Sequence, residues 1–184
     1  MSARRLDPAM LGTSGYERRQ RDSYYTQAWV TEALVSQVEL RNTLWEPAAG
    51  RGDMTAVLRD AGYRVTESDI AWSESFDFMR QQSLPGGVRS IVTNPPVNQI
   101  EVFIRHALKL VCAADGLVAM LARNEFDCAG GLKDLFNKPP FAMKVVLTRR
   151  PSWSDMNIAS PRHNFSWFIW DWKHAGPGVL RYAP

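Results

Sequence analysis

Thr43-Leu44-Trp45 followed by Glu46-Pro47-Ala48-Ala49-Gly50-Arg51-Gly52-Asp53 decides the fold. The first three residues read as a short strand. The next eight form a loop in which Gly50 and Gly52, lacking a Cβ, permit a tight turn and a close approach of ligand to backbone. Met54, Val57, Leu58 and Ala61 then repeat at helical spacing, and Gly62 stands where that helix would stop. A strand that turns through glycines into a helix offers the free N–H groups of the helix start to a negative group, such as a carboxylate.

Outward from this loop, strand and helix keep alternating. Upstream, Val30, Ala33, Leu34 and Val38 share one face of a helix over residues 26–40. Downstream, residues 63–69 alternate as a second strand that ends on Asp69. Ser90-Ile91-Val92-Thr93 reads as a third strand, closed by Asn94-Pro95-Pro96. Ile100, Phe103, Ile104, Ala107, Leu108 and Val111 mark an amphipathic helix, with Cys112 as a small residue of its core face. Residues 116–121 are a strand of the buried kind, and the apolar stretches 144–148 and 165–170 read as a closing pair. This order predicts an α/β fold with a mostly parallel sheet and right-handed crossovers. Ligands of such sheets lie outside the C-terminal ends of the strands, where Gly52, Asp69 and Pro96 all fall.

Asp69 follows the glycines by about twenty residues, the spacing at which an acid accepts hydrogen bonds from both hydroxyls of a ribose. Asp77 offers an acceptor to an adenine amino group, and Phe78 a ring for its face. Taken singly, these residues read equally as a turn, a solvated strand end and a core ring. Their joint order is what points to a nucleoside-bearing ligand. The loop is not the G-x-G-x-x-G of dinucleotide binders, because Asp53 and Thr55 stand where its third glycine is sought.

Asn94-Pro95-Pro96 is the sharpest chemical signal. Two prolines fix the backbone and remove its neighbouring N–H donors. The Asn94 amide oxygen and the Pro95 carbonyl can each accept a hydrogen bond from one amino group, which orients its nitrogen and raises its electron density. Catalysis of that kind rests on positioning and electrostatics, without a covalent intermediate.

Glu46-Pro47-Ala48-Ala49-Gly50-Arg51-Gly52 followed by Thr93-Asn94-Pro95-Pro96 resembles motifs I and IV of the class I S-adenosylmethionine-dependent amino-methyltransferases. The likeness is greatest to the adenine-N(6) group of DNA methyltransferases and their small phage-like and rRNA relatives. Tyr24-Tyr25-Thr26-Gln27 resembles the motif that closes over the methionine end of the cofactor in that group. The resemblance spans roughly residues 24–123. It implies a Rossmann-like methyltransferase fold with a seven-stranded sheet flanked by helices, and S-adenosyl-L-methionine as cofactor. Tyr25 and Thr26 would flank the amino-acid end of that cofactor. Glu46, Pro47, Ala48, Ala49, Gly50 and Gly52 would cradle it, Asp69 would hold its ribose, and Asp77 and Phe78 its adenine. Asn94, Pro95, Pro96 and Val97 would form the catalytic turn, with Asn94 also facing the cofactor. The implied reaction is methyl transfer to an exocyclic amino nitrogen, foremost that of adenine in DNA or RNA.

The family's position after the prolines is usually an aromatic that stacks on the target base, and here it is Val97. Such stacking is worth about 1–3 kcal/mol. Trp153, Phe165 and Trp167 are the late aromatics that could supply another face. Gln27 replaces a proline common in the first motif. Residues 149–155 read as a substrate lip or as a plain exposed loop, with Arg149, Arg150, Trp153 and, further on, Arg162 as substrate contacts. The stretch after Val97 has little room for a recognition segment, so sequence readout would come from a specificity partner or not at all. Two alternatives remain open at this point. One is a protein glutamine methyltransferase, and the other a non-catalytic module of the same fold.

Composition sets the outer bounds. The chain has 184 residues, 45% apolar and 22% charged, and a net charge of +3. That suits one α/β domain at residues 23–184 behind a flexible basic arm at residues 1–22, where Arg4, Arg5, Arg18, Arg19 and Arg21 crowd together. Those arginines, with Lys144, Arg149, Arg150 and Arg162, point to nucleic acid as partner. No apolar run approaches the roughly 20 residues of a membrane helix, so no membrane role is expected. Two isolated cysteines and three scattered histidines give no metal spacing, and a reducing cytoplasm is the expected location.

Overall fold

The computed structural model describes residues 26–153 and 163–184. The basic arm, Tyr25 and Arg162 lie outside the described residues. In chain order the elements are α1 (Ala28–Gln37), β1 (Thr43–Glu46), α2 (Asp53–Asp60), β2 (Arg64–Glu67), β3 (Ser90–Thr93), α3 (Ile100–Cys112), β4 (Leu117–Arg123), α4 (Lys133–Phe136), β5 (Phe141–Leu147), β6 (Phe165–Asp171) and β7 (Val179–Ala183). The strands form one seven-stranded sheet in the order β2-β1-β3-β4-β6-β5-β7. The β4–β6 and β5–β6 pairs are antiparallel and every other pair is parallel, so β6 alone runs against the rest.

The period-two alternation of the central strands divides the core into two layers. Leu117, Ala119 and Leu121 of β4, with Trp167 and Ile169 of β6, face Val30, Leu34, Met54 and Leu58 of α1 and α2. Val118, Met120 and Ala122, with Phe168 and Trp170, face Phe103, Ile104, Ala107 and Val111 of α3. The two fully buried indoles of β6 also satisfy their N–H groups. Trp167 donates to the Val30 carbonyl at 2.8 Å, and Trp170 to that of Leu135 at 2.8 Å.

Several sequence expectations shift here. The first helix is shorter than residues 26–40: Gln27 is extended at its start and Val38 at its end, though Val38 and Leu40 still enter the core. Cys112, expected on a core face, is exposed, because the buried stripe of α3 ends one residue earlier at Val111. The reading of individual strands reached six, and the seventh is β7. This edge strand exposes Val179, Leu180 and Tyr182, so it carries neither an alternation nor a buried run to find it by. It pairs in parallel with β5 after the turn through Gly176 and Gly178, where a Cβ on Gly178 would sit 2.7 Å from the Phe141 ring. Among the described residues no helix is long and apolar enough to cross a membrane, and no group of His, Cys, Asp or Glu is arranged to hold a metal ion.

Candidate active site

The C-terminal ends of β1, β2, β3 and β4 share one edge of the sheet. Because β6 is reversed, it begins at that same edge, with Phe165 opposite Arg123. β5, antiparallel to β6, ends at that edge too, where the glycine loop and the Asn-Pro-Pro turn stand.

Gly50 and Gly52 both have positive φ, 55° and 82°, a conformation that side chains with a Cβ resist. Gly52 precedes the first residue of α2, and its N–H donates to the Ala49 carbonyl at 2.8 Å. The loop is fastened to β2 as well. Ser68 donates to the Glu46 carbonyl and Ala49 donates to that of Ser68. The Asp69 carboxylate accepts from the Gly50 N–H at 2.8 Å and from the Ala71 N–H at 2.7 Å. β2 stops at Glu67, short of the expected 63–69, so Asp69 reaches the glycine loop from just beyond the strand, and a carboxylate with about four acceptor sites retains capacity beyond these two bonds.

Glu46 is 2% exposed at the end of β1. Thr55, buried on α2, donates its hydroxyl to the Glu46 carboxyl at 3.0 Å. Burial pushes the Glu46 carboxyl up to about 8, helped by the nearby charges of Glu67, Asp69 and Asp53 and opposed by the Thr55 bond. A buried acid ringed by other acids is a setting that favours a cationic ligand.

Asp77 and Phe78 do not reach the same edge in the same way. The Asp77 carboxylate accepts from the Met79 N–H at 3.0 Å and pairs with Arg80 at 3.3 Å, capping the turn that follows. Phe78 is 2% exposed, and its ring packs against Trp45, Phe103 and His106 at 4.9–5.2 Å. Its surroundings are those of a core residue. Pro47 and Ala49 are buried and Ala48 half-buried in the wall of the loop.

Just after β3, Asn94 is half-buried and Pro95 buried, while Val97 is 42% exposed. The Asn94 side-chain amide donates through Nδ2 to the Thr26 hydroxyl at 3.2 Å. Thr26 is itself 6% exposed at the entry to α1. This bond fixes which way the amide points and leaves Oδ1 as an acceptor. Asn94, Pro95 and Val97 line a cleft of about 230 Å³ together with Ile100, Phe126 and Phe165. Arg123 and Glu125, both exposed, stand among its lining residues.

Gln27 ties this cleft to the expected substrate lip. Its side-chain carbonyl accepts from the Ser152 N–H at 2.9 Å and from the Trp29 indole at 3.2 Å. The Arg149 guanidinium lies 4.7 Å from the centroid of the Trp29 ring. Arg150 donates to the Asn164 side chain at 2.9 Å, and Trp153 packs edge-on against Phe165 with centroids 4.8 Å apart. Thr26, Asn94, Pro95, Val97, Arg149, Arg150 and Trp153, foreseen separately in the sequence, thus belong to one connected region. Trp167 lies in the core. Phe126 and Glu125 were not foreseen: they sit in a 3₁₀ turn without periodicity, and only their position just after β4 at the ligand-bearing edge marks them.

No protein-family model matches the chain, and no curated protein matches it. Solved structures do. The methyltransferase subunit of a type I restriction-modification system from Streptococcus thermophilus superposes with a TM-score of 0.56 at 10% identity, over 87% of this chain and 47% of that one. A protein described as a class I S-adenosylmethionine-dependent methyltransferase from Listeria monocytogenes gives 0.54 at 11% identity, over 85% and 62%. A modification subunit ascribed to a type I restriction enzyme of Vibrio vulnificus gives 0.51 at 13%, over 86% and 46%. The chain spans about half to three-fifths of the length of these structures. Sheet order, the loops at its C-terminal edge and these superpositions together give the chain the Rossmann-like fold of the class I S-adenosylmethionine-dependent methyltransferases.

Proposed function

We propose that this protein is an S-adenosylmethionine-dependent N-methyltransferase whose target is the exocyclic amine of adenine in a nucleic acid. The observation that carries the reading is the Asn94 amide, held by Thr26 so that its oxygen stays available beside the Pro95 carbonyl at the cleft.

The residues at the glycine loop fit the cofactor. Positive φ at Gly50 and Gly52 gives a cradle that a side chain would strain, and the acids Glu46, Glu67, Asp69 and Asp53 complement a ligand with a sulfonium and an ammonium. Glu46 through Gly52 would hold its amino-acid end, together with Thr26, and Asp69 its ribose. Bound there, the cofactor supplies an electrophilic methyl group.

The rest falls to this chain's own residues. Asn94 Oδ1 and the Pro95 carbonyl accept the two N–H bonds of the target amine, which points its nitrogen lone pair and raises its electron density. Proline on both sides of that carbonyl keeps its geometry rigid. Arg149 and Arg150, on the segment that Gln27 holds through Ser152, would meet phosphate. A cleft of about 230 Å³ admits one small planar group, so a base must be unpaired or extruded to enter. Target choice among sequences would rest with a partner.

The test is methyl transfer from labelled S-adenosylmethionine to duplex DNA, single-stranded DNA, RNA and cell protein, with mass spectrometry of the digests. Methylated adenine is expected from a nucleic-acid pool, and Asn94→Ala should lower kcat by at least a hundredfold while leaving cofactor affinity within about twofold. Label confined to glutamine in the protein pool would refute the adenine assignment. Undiminished transfer by Asn94→Ala would refute the role given to that amide.

A further inference from the structure

We propose that Phe126, on the turn after β4, supplies the stacking face that Val97 lacks, and that the cleft is therefore built for a heteroaromatic amine. The proposal rests on the methyltransferase reading of the same cleft and names its substrate class.

Val97 stands 42% exposed in the cleft lining with only an aliphatic side chain, so the turn itself offers a base no π-face. Of the other aromatics at this end, Trp167 is fully buried with its indole N–H on the Val30 carbonyl, and Trp153 is engaged edge-on with Phe165. The rings that line the cleft are Phe126 and Phe165. Phe165 is 6% exposed, so its ring is largely covered. Phe126 is half-buried and held by two edge-on contacts, from Phe136 at 6.0 Å and Phe168 at 5.8 Å.

The turn that carries Phe126 is fastened on both flanks. Lys144 of β5 donates to the Asn124 carbonyl at 2.8 Å and to both Asp127 oxygens at 2.9 and 2.7 Å, and its ammonium lies 5.1 Å from the Phe168 ring centroid. The Asn124 side chain accepts from the Ser166 hydroxyl at 2.7 Å, and its backbone N–H donates to the Asn164 carbonyl at 2.9 Å. A ring so fixed loses little freedom when it meets a ligand. Arg123 and Glu125, also in the cleft lining, offer a donor and an acceptor for the polar edge of a ring system. An aliphatic amide such as glutamine has no π-face to lay on the ring.

The experiment uses the full chain and a single-stranded oligodeoxynucleotide containing one adenine, with a twin carrying 2-aminopurine at that position. Phe126→Leu keeps the apolar volume and removes the face. It should raise KM for the adenine oligonucleotide about 5- to 150-fold, abolish the quenching of 2-aminopurine on binding, and leave S-adenosylmethionine affinity and melting temperature close to those of the parent. Phe126→Trp should retain both properties. Adding Val97→Tyr to Phe126→Leu should recover part of the lost affinity, which a merely structural Phe126 would not allow. Unchanged KM and quenching in Phe126→Leu would overturn the proposal while the methyltransferase reading stands. Quenching by the parent, lost in Phe126→Leu, without methyl transfer by either would overturn that reading and keep the ring assignment. Neither quenching nor transfer by the parent would overturn both.

Discussion

Glu46→Gln separates what burial does to this carboxyl from what its shape does. Gln is nearly isosteric, and its amide oxygen can still accept from the Thr55 hydroxyl, so the packing at the end of β1 is preserved. What disappears is the titration. In the folded protein the Glu46 carboxyl is raised from 4.5 to about 8, chiefly by burial and then by Glu67, Asp69 and Asp53. The folded state thus holds a proton that the unfolded chain releases near 4.5, and the slope of stability with pH is negative between those values. The stabilisation is fully present below pH 4.5 and is lost as pH rises through about 8. The full difference corresponds to ~5 kcal/mol, a ceiling that local relaxation lowers toward ~3 kcal/mol. Against a typical total of about 5–15 kcal/mol, that is a large fraction. Urea unfolding at intervals from pH 5 to 9 reads it directly. The parent should lose ~2–4 kcal/mol more than Glu46→Gln across that range. Parallel profiles for the two proteins would refute a proton-bearing Glu46. If the cofactor's cationic end also lies here, its binding below pH 8 should release a proton from the parent and none from the variant. Calorimetry in buffers of different ionisation enthalpy measures that release.

Two further outcomes follow from the geometry. Gln27→Leu removes the acceptor shared by Ser152 and Trp29, and should raise KM for nucleic acid several-fold with kcat little changed; Gln27→Glu keeps the acceptor and should behave as the parent. Steady-state kinetics on both variants decides this, and equal losses in the two would show that a charge-neutral amide is required instead. Gly116→Ala places a Cβ 2.6 Å from the Arg89 carbonyl oxygen and 2.7 Å from Val111 Cβ, so denaturant melts should show ~1–3 kcal/mol of destabilisation.

Much of this site was legible because its chemistry is local. A glycine loop between a strand and an amphipathic helix, an acid at the next strand end and Asn-Pro-Pro after a buried strand each constrain their own backbone. Their meeting at one edge then follows from parallel pairing of β2, β1 and β3. The rest depended on directions that spacing does not encode. Asp77 lies between two short 3₁₀ turns and Phe78 opens the second, where a change of one residue in turn length exchanges core for surface, and the ring went to the core. Phe126 has the opposite history: nothing periodic surrounds it, yet ties from Lys144, Ser166 and Asn164 bring its turn over the cleft. β7 escaped because an edge strand exposed on both faces has no pattern to show.

The reversed strand β6 is what turns these loops into a single site. Were β6 parallel to β4, Phe165 would begin at the opposite edge, and the chain from Leu147 would have to cross the sheet to reach it. With β6 antiparallel, β5 ends and β6 begins on the same edge, and Gln27, accepting from Ser152, fastens the residues just after β5 to α1. The adjacent residue, Thr26, accepts from Asn94. Two consecutive residues at the entry to α1 thereby reach both the amide proposed to grip the amine and the segment proposed to meet the phosphate. Gln27 in place of proline is central to this arrangement, since proline has no side-chain acceptor for the Ser152 N–H. On the proposed reading, Gln27 and Val97 then share an explanation: each would leave a contact to a part of the chain outside the motif, Ser152 after β5 in one case and Phe126 after β4 in the other.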